Sequence, residues 1–562
     1  MSSSISCIQA VIDGAKNLTP SAIQIVAALQ QNNASLSDDA TLTIVANEGY
    51  LLLLPHGKGQ SGQSLERVNT LSRGLKVYPS HQLRWQMDIK LKVQLEHAVL
   101  QCLETGESGH RDTGVVFLYL NGHFEQRYFP AVLDALPSTQ CFNVSDNPAH
   151  RLYNPKVNAI TQCFGPQSLA NLTVHFDQEG RMCSCFDGAL NVVGIGRGND
   201  RHQRLAGAVY EYLERRVSAE LPDNIRWTSA TTLAENAVTP YQLFGADTQR
   251  DSVLFPHYSD TTEMAWMPAT DGVSGQQKWV PAAMVCYLNK HLENVSFNTN
   301  SNGCALGNSY QEASFYALLE IIERDALLLT WYTQSCPQRI SLGSELPPSL
   351  QTLCHLIQMQ GYRLHLFDIT TELNIPVVLS VIEGETDDNM AVFVTAGAHT
   401  DPKVALENAV SEAYSLMGLC ERNYHRARTS EVVTSNADQY LHYADPAQKT
   451  EFRFLLDASE QISLSDFVRR HHAADTPENA MAQLQGCLHR HGYSALLVEH
   501  TPDYLRDLGL HWVRAYVPGL INLTFGEHPV FVCRERVARA ADASPWLNDR
   551  AVGYFPTLHP LG

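Results

Sequence analysis

The chain has 562 residues, 44% hydrophobic and 18% charged, enough for two to four domains with sizeable cores. Its formal net charge of −19 leaves no basic face of the kind a nonspecific nucleic-acid binder needs, and it contains no apolar run of the roughly 18 residues that cross a membrane. The 13 cysteines are scattered without a Cys-x-x-Cys pair and no basic segment opens the chain, so a disulfide frame, a structural zinc module and a signal peptide are all set aside in favour of a reduced, cytoplasmic protein.

Residues 1–150 read as a separate unit. A helix is expected over Ser21–Gln31, a hairpin over Thr41–Pro55 and a helix over Gln86–Leu103. A strand at Val115–Leu120 then turns at Asn121 and Gly122 into a second strand from Phe124. Residues 137–155, rich in Ser, Asn, Asp and Pro, read as a linker. From Asn154 the pattern is α+β. Leu172–Phe176 and Arg181–Phe186 alternate like a hairpin, which makes Cys183 and Cys185 strand residues. A glycine run, Gly194–Gly198, precedes a helix over Arg201–Ala219. Strands are expected at Tyr362–Phe367, Val377–Val381 and Ala391–Thr395, then a third helix over Val404–Met417 bearing Glu407 and Glu412. Ser430–Asp475 is polar and reads as a solvated insertion, with late strands at Ala495–Val498 and Trp512–Val517. His471, His472, His489 and His491 read as surface residues, not as a metal cluster.

The stretch around which the chain is organised is Ser301–Asp325, SNGCALGNSYQEASFYALLEIIERD. Gly303 and Gly307 permit unusual backbone geometry, Ser309 is the expected N-cap, and Glu312 completes a capping box. The helix that follows is apolar nearly all round, yet carries Glu312, Glu320 and Glu323 on one side. Buried carboxylates are costly unless cations satisfy them. Glu-x-x-Glu-Arg occurs here at Glu320, Glu323 and Arg324, and earlier at Glu211, Glu214 and Arg215. One such segment is an ordinary helical ion pair. Two copies, each after glycines on a helix of low charge, point to a shared site, and facing carboxylate pairs suit hard divalent cations such as Mg²⁺. There is no P-loop, no complete dinucleotide fingerprint and no nucleophile elbow.

These two motifs, with the GRG segment before the first, resemble the YcaO family, and within it the cyclodehydratase D-type proteins of azole-modified ribosomal peptide biosynthesis. The resemblance covers roughly residues 154–562. It implies an α+β, YcaO-type ATP-binding fold at 151–562, with a smaller N-terminal α/β domain at 1–150 that docks a partner or is a degenerate ThiF-like unit. It also implies ATP and Mg²⁺ as cofactors. By position, Glu211, Glu214, Glu320 and Glu323 would hold magnesium, and Arg197, Glu211, Asn308, Glu312, Glu320, Arg324 and Glu412 would contact nucleotide. Gly562, near the active site in that family, would offer its carboxylate as catalytic base. The implied reaction is ATP-dependent conversion of Cys, Ser or Thr in a precursor peptide to thiazoline or oxazoline. Thioamide or amidine formation, or a non-catalytic peptide scaffold, are the alternatives. Implied partners are the precursor peptide, a ThiF-like leader-binding protein and an FMN-dependent dehydrogenase, and a homodimer is admitted. The third helix departs from the family pattern, with Asn408, Ser415 and Met417 where arginine, glutamine and arginine are usual.

Overall fold

A computed structural model describes strand and helix segments before residue 130, residues 173–176, 181–187 and 192–198, most of 201–523, and residues 532–547 and 559–561 with short gaps. The expected linker and the boundary at residues 150 and 151 lie outside the described residues.

The first unit is a five-stranded sheet of β1 (Ile23–Val26), β2 (Leu42–Ala46), β3 (Leu51–Pro55), β4 (Val115–Leu120) and β5 (His123–Tyr128), in that order. Both expected hairpins are present. The helix expected over Ser21–Gln31 is a strand where it is described, paired in parallel with β2 through Ile23 and Leu42. Its Ile-Gln-Ile-Val core has β-branched residues that favour extended backbone when a neighbouring strand offers hydrogen bonds.

The remainder follows in chain order. A three-stranded sheet of β6 (Thr173–Phe176), β7 (Met182–Asp187) and β8 (Val192–Arg197) leads into α1 (Arg201–Val217). Next come β9 (Arg226–Thr228), β10 (Met264–Asp271), β11 (Gln277–Pro281), β12 (Cys304–Gly307) and α2 (Tyr310–Thr333). Then follow β13 (Gln338–Ile340), β14 (Tyr362–Asp368), β15 (Val377–Gly384), β16 (Val392–Ala398) and α3 (Pro402–Ala427). The chain continues through α4 (Asn436–Ala444), β17 (Gln461–Ile462), α5 (Pro477–Arg490), β18 (Leu496–Glu499), β19 (His511–Tyr516) and α6 (Arg534–Ala543). One sheet runs β11-β10-β18-β19-β12 with β9 beside β10, and another runs β16-β15-β14-β13-β17.

Three times an edge strand runs into a helix that folds back on it: β8 into α1, β12 into α2, β16 into α3. Glycine makes the close approach possible each time. A Cβ on Gly196 would lie 1.8 Å from the Arg204 carbonyl oxygen, one on Gly307 2.5 Å from the Ala313 nitrogen, and one on Gly397 2.4 Å from the Ala405 oxygen. Gly194, Gly196 and Gly307 therefore sit in strands and supply clearance, not loop flexibility, whereas Gly303, at φ +78°, uses the left-handed backbone. The three units interlock as a ring. Besides its own strand, α1 touches β12, α2 touches β16 and α3 touches β8.

The main core gathers the apolar faces of α2, β15, β16 and β19. The described part of the expected solvated insertion, from residue 436 to 471, is packed into the fold. Tyr443, Phe452, Leu455 and Phe467 are buried, and Tyr443 and Phe452 meet the Trp331 ring at centroid distances of 5.3 and 5.1 Å. The anchors are few and widely spaced among polar residues, so local polarity masks them. His471 is likewise buried, against the Phe467 ring. Among the described residues no helix is long and apolar enough to cross a membrane.

Candidate active site

The hydrogen bonds of the glutamates follow from the three open sheet edges. An edge strand presents main-chain N–H groups that no neighbouring strand takes. Here helix-borne carboxylates take them. Ile195 N–H in β8 donates to Glu211 Oε2 at 2.8 Å, Gly303 N–H before β12 donates to Glu320 Oε2 at 3.1 Å, and Ala398 N–H at the end of β16 donates to Glu323 Oε2 at 2.9 Å. The last contact passes from the second unit of the ring to the third.

Arginines hold the other oxygens. Arg215 reaches Glu211 Oε1 at 2.5 Å. Arg324 Nη1 pairs with Glu323 Oε1, and its Nη2 stands 3.9 Å from Glu320 Oε1. Arg197, at the end of β8, pairs with Glu412 Oε2 of α3 at 3.0 Å, which closes the ring from third unit to first. Arg215 is held above its ordinary pKa first by Glu211, with Glu214 and Glu320 adding, so charge also links the first unit to the second.

Burial sets the protonation of the carboxyls. Glu323 is pushed up to about 7, chiefly by burial; Arg324 opposes this, while Glu412 and Glu320 reinforce it. Glu320 is raised too, again by burial, against the charges of Arg324, Arg514 and Arg215. Burial alone would lower the Arg197 guanidinium, yet Glu412, Glu211 and Glu323 hold it above its usual value.

The tertiary structure therefore brings together Arg197, Glu211, Glu320, Glu323, Arg324 and Glu412. Asn308 and Glu312 lie at the other end of α2. Ser309 caps that helix by accepting from Glu312 N–H at 3.1 Å, but the returning carboxylate takes Asn308 N–H at 2.6 Å, not that of the cap residue expected of a capping box. Glu312 and Glu320 stand about 12 Å apart along the axis of α2. Glu214 is next to Arg215, and its carbonyl oxygen accepts from Trp512 Nε1 at 2.8 Å. Gly562 lies outside the described residues, although His559 and Leu561 just before it are buried. Met417 is wholly buried among core residues of β14–β16, so the charge usual at that position has no place in this core.

Sequence reasoning missed Arg514 of β19. It is buried, donates from Nη1 to the Val285 carbonyl at 3.2 Å, and lies over the rings of Tyr287 and Tyr516 at 5.4 and 5.0 Å. Its charge helps keep Glu320 ionised. The available signal was a lone arginine inside the apolar strand HWVRAY.

The profile of the family described as YcaO cyclodehydratase, ATP- and Mg²⁺-binding, matches residues 195–521. The chain belongs to the YcaO family. An uncharacterized protein of Methanothermobacter thermautotrophicus is 25% identical over 346 residues, covering 59% of this chain and 82% of that protein. Two solved structures share the fold. A heterocyclase in complex with substrate and cofactor superposes with a TM-score of 0.66 at 17% identity, over 98% of this chain and 84% of its own. The heterocyclase TruD gives 0.53 at 18%, over 92% and 77%.

The residues present fit ATP and Mg²⁺. Glutamate oxygens are hard ligands of the kind Mg²⁺ takes, and guanidiniums match phosphate oxygens. Nε of Arg324 and Nε of Arg514 are buried donors without a hydrogen-bond partner, which an anionic oxygen would satisfy. Among the described residues no three acidic, His or Cys side chains stand grouped at metal-binding distance.

Proposed function

We propose that the chain is an ATP-dependent cyclodehydratase that converts Cys, Ser or Thr of a ribosomal precursor peptide to thiazoline or oxazoline. The observation that carries this reading is the ring of three strand–helix units, with Glu211, Glu320, Glu323 and Glu412 interleaved with Arg197, Arg215 and Arg324. A heterocyclase of the same fold, described with substrate and cofactor, supports a heterocycle-forming role.

The substrate side chain attacks the preceding carbonyl carbon and loses its proton. MgATP would supply the phosphoryl group that the amide oxygen accepts, leaving ADP, and phosphate leaves with that oxygen as the amide nitrogen gives up its proton and the C=N bond forms. The chain's own residues bind, orient and neutralise. Glu211, Glu214, Glu320 and Glu323 are assigned to the metal, and Arg197, Asn308, Glu312, Arg324 and Glu412 to the nucleotide. Fixed charges of this kind act where negative charge builds up, without reorganising at the moment of reaction. Residues 151–562 form the catalytic domain in this reading, and residues 1–150 the docking unit. A separate ThiF-like protein presents the leader, and an FMN-dependent dehydrogenase acts on the product.

The test is peptide-dependent phosphate release together with product mass, with the partner protein present. Ring formation removes one water per residue, whereas thioamide formation exchanges oxygen for sulfur. Glu320→Gln should lower phosphate release by roughly 100-fold or more. Full activity in that variant would demote the carboxylates to a structural role, and no phosphate release from the wild type would favour a scaffold.

A further inference from the structure

We propose that Arg197 stands in for a divalent cation at the centre of the ring, so that this chain takes up Mg²⁺ only together with nucleotide phosphates. The inference rests on the ATP and Mg²⁺ site described above and adds how that site is loaded.

Three independent observations support it. The first is the position of Arg197. It ends β8 in the first unit, makes its ion pair with Glu412 of the third at 3.0 Å, and also feels the charges of Glu211 on α1 and Glu323 on α2. Helix α3 thus supplies the ion-pair partner of this guanidinium, and carboxylates on α1 and α2 add their charge to it. The second is that most of the other carboxylate oxygens already have partners. Glu211 holds Ile195 N–H and Arg215, Glu320 holds Gly303 N–H, and Glu323 holds Ala398 N–H and Arg324. The third is that two arginines around Glu320 keep unused donors. The buried, unpartnered Nε groups of Arg324 and Arg514 are donors, which suit incoming anionic oxygens and repel a cation.

A divalent ion arriving alone would have to displace Arg197 from Glu412 and would then leave that guanidinium without its ion-pair partner beside the metal. A polyphosphate reverses both difficulties. Its oxygens draw the guanidiniums off the carboxylates, and the carboxylates so released face the metal. Binding of the two is then mutually reinforcing, by the same factor in either direction. Arg197 is the residue best placed for the exchange, because its side chain is 38% exposed while that of Arg324 is 16% exposed.

The test uses the full chain and Mn²⁺ as an electron-paramagnetic-resonance probe, with and without a non-hydrolysable ATP analogue. The wild type should bind Mn²⁺ roughly 100-fold more tightly when the analogue is present. Arg197→Gln should bind Mn²⁺ alone at least about tenfold more tightly than the wild type, and its dependence on the analogue should shrink. Arg197→Lys, which keeps the charge, should behave like the wild type, and thermal melts of both variants report that they are folded. Equal Mn²⁺ affinity for wild type and Arg197→Gln without the analogue overturns the proposal while leaving the nucleotide site intact. Failure of the wild type to bind Mn²⁺ even with the analogue overturns the site and the proposal together.

Discussion

Replacing Gly196 by alanine tests whether strand–helix clearance controls the site. A methyl group there would stand 1.8 Å from the Arg204 carbonyl oxygen, 2.2 Å from the Ala208 nitrogen and 2.8 Å from the Gly207 carbonyl carbon. All three are main-chain atoms of α1, and ordinary contact begins near 3.4 Å. The helix must therefore withdraw by about 1.5 Å, since interiors have no slack to absorb the atom. The strand cannot yield instead, because β8 is paired along its length with β7, with Cys183 opposite Gly196. Overpacking of this kind costs about 1–3 kcal/mol of stability. The functional loss should be larger. Arg197 follows directly in β8, while Glu211 rides on the displaced helix and is tied to Ile195 N–H. Misplacing catalytic groups by about 1 Å can cost about 100-fold in rate. The assay is nucleotide-analogue affinity and peptide-dependent phosphate release, read beside a thermal melt. Gly486→Ala in α5 is the control: its Cβ would meet only Arg490 Nη1 at 3.6 Å, and it should add about 0.5–1 kcal/mol. A Gly196→Ala protein that melts, binds and turns over like the wild type refutes the reasoning.

Two further outcomes follow from buried charge. Arg536 of α6 is wholly buried, with Nη2 donating to Asp325 Oδ2 at 2.6 Å and Nη1 to Glu372 Oε1 at 2.6 Å. Arg536→Met strands both carboxylates and should cost about 3–5 kcal/mol in denaturant melts; an unchanged midpoint would show that the triad does not stabilise the fold. His500 is buried, donates from Nε2 to the Glu220 carbonyl at 3.1 Å, and has its pKa pushed down to about 4, first by burial. The unfolded chain then binds that proton more tightly, near 6.5, so the stability contributed is full above 6.5 and is lost as pH falls toward 4. His500→Gln should flatten the stability curve in that window, and a slope identical to the wild type would rule the linkage out.

Much of the candidate site was legible because it is written in short-range patterns. Ser309 and Glu312 mark the start of α2, Glu320 and Glu323 stand three apart on a helix too apolar to bury them idly, and Glu211 and Arg215 repeat the arrangement. The errors came where local pattern and tertiary need diverge. Ile23–Val26 pairs with a strand that lies 16 residues further on, and Tyr443, Phe452 and Phe467 are too thinly spaced to outweigh their polar neighbours. Gly303 was read for the right reason, but Gly194, Gly196 and Gly307 give clearance and not a turn. Nothing local distinguishes a glycine that bends a loop from one that lets a helix press on a strand.

What the amino-acid order determined unaided was the set of chemical parts: two acidic helix motifs, glycines ahead of each, a third helix with Glu412, and with them the family. What only the tertiary structure decided was the pairing. Glu323 finds Ala398 and Glu412 finds Arg197 because three open sheet edges meet, and each must have its main-chain N–H groups satisfied. Contacts between residues far apart in the chain carry no local signature. They arise when burial forces every polar group to find a partner in whatever the fold has brought near.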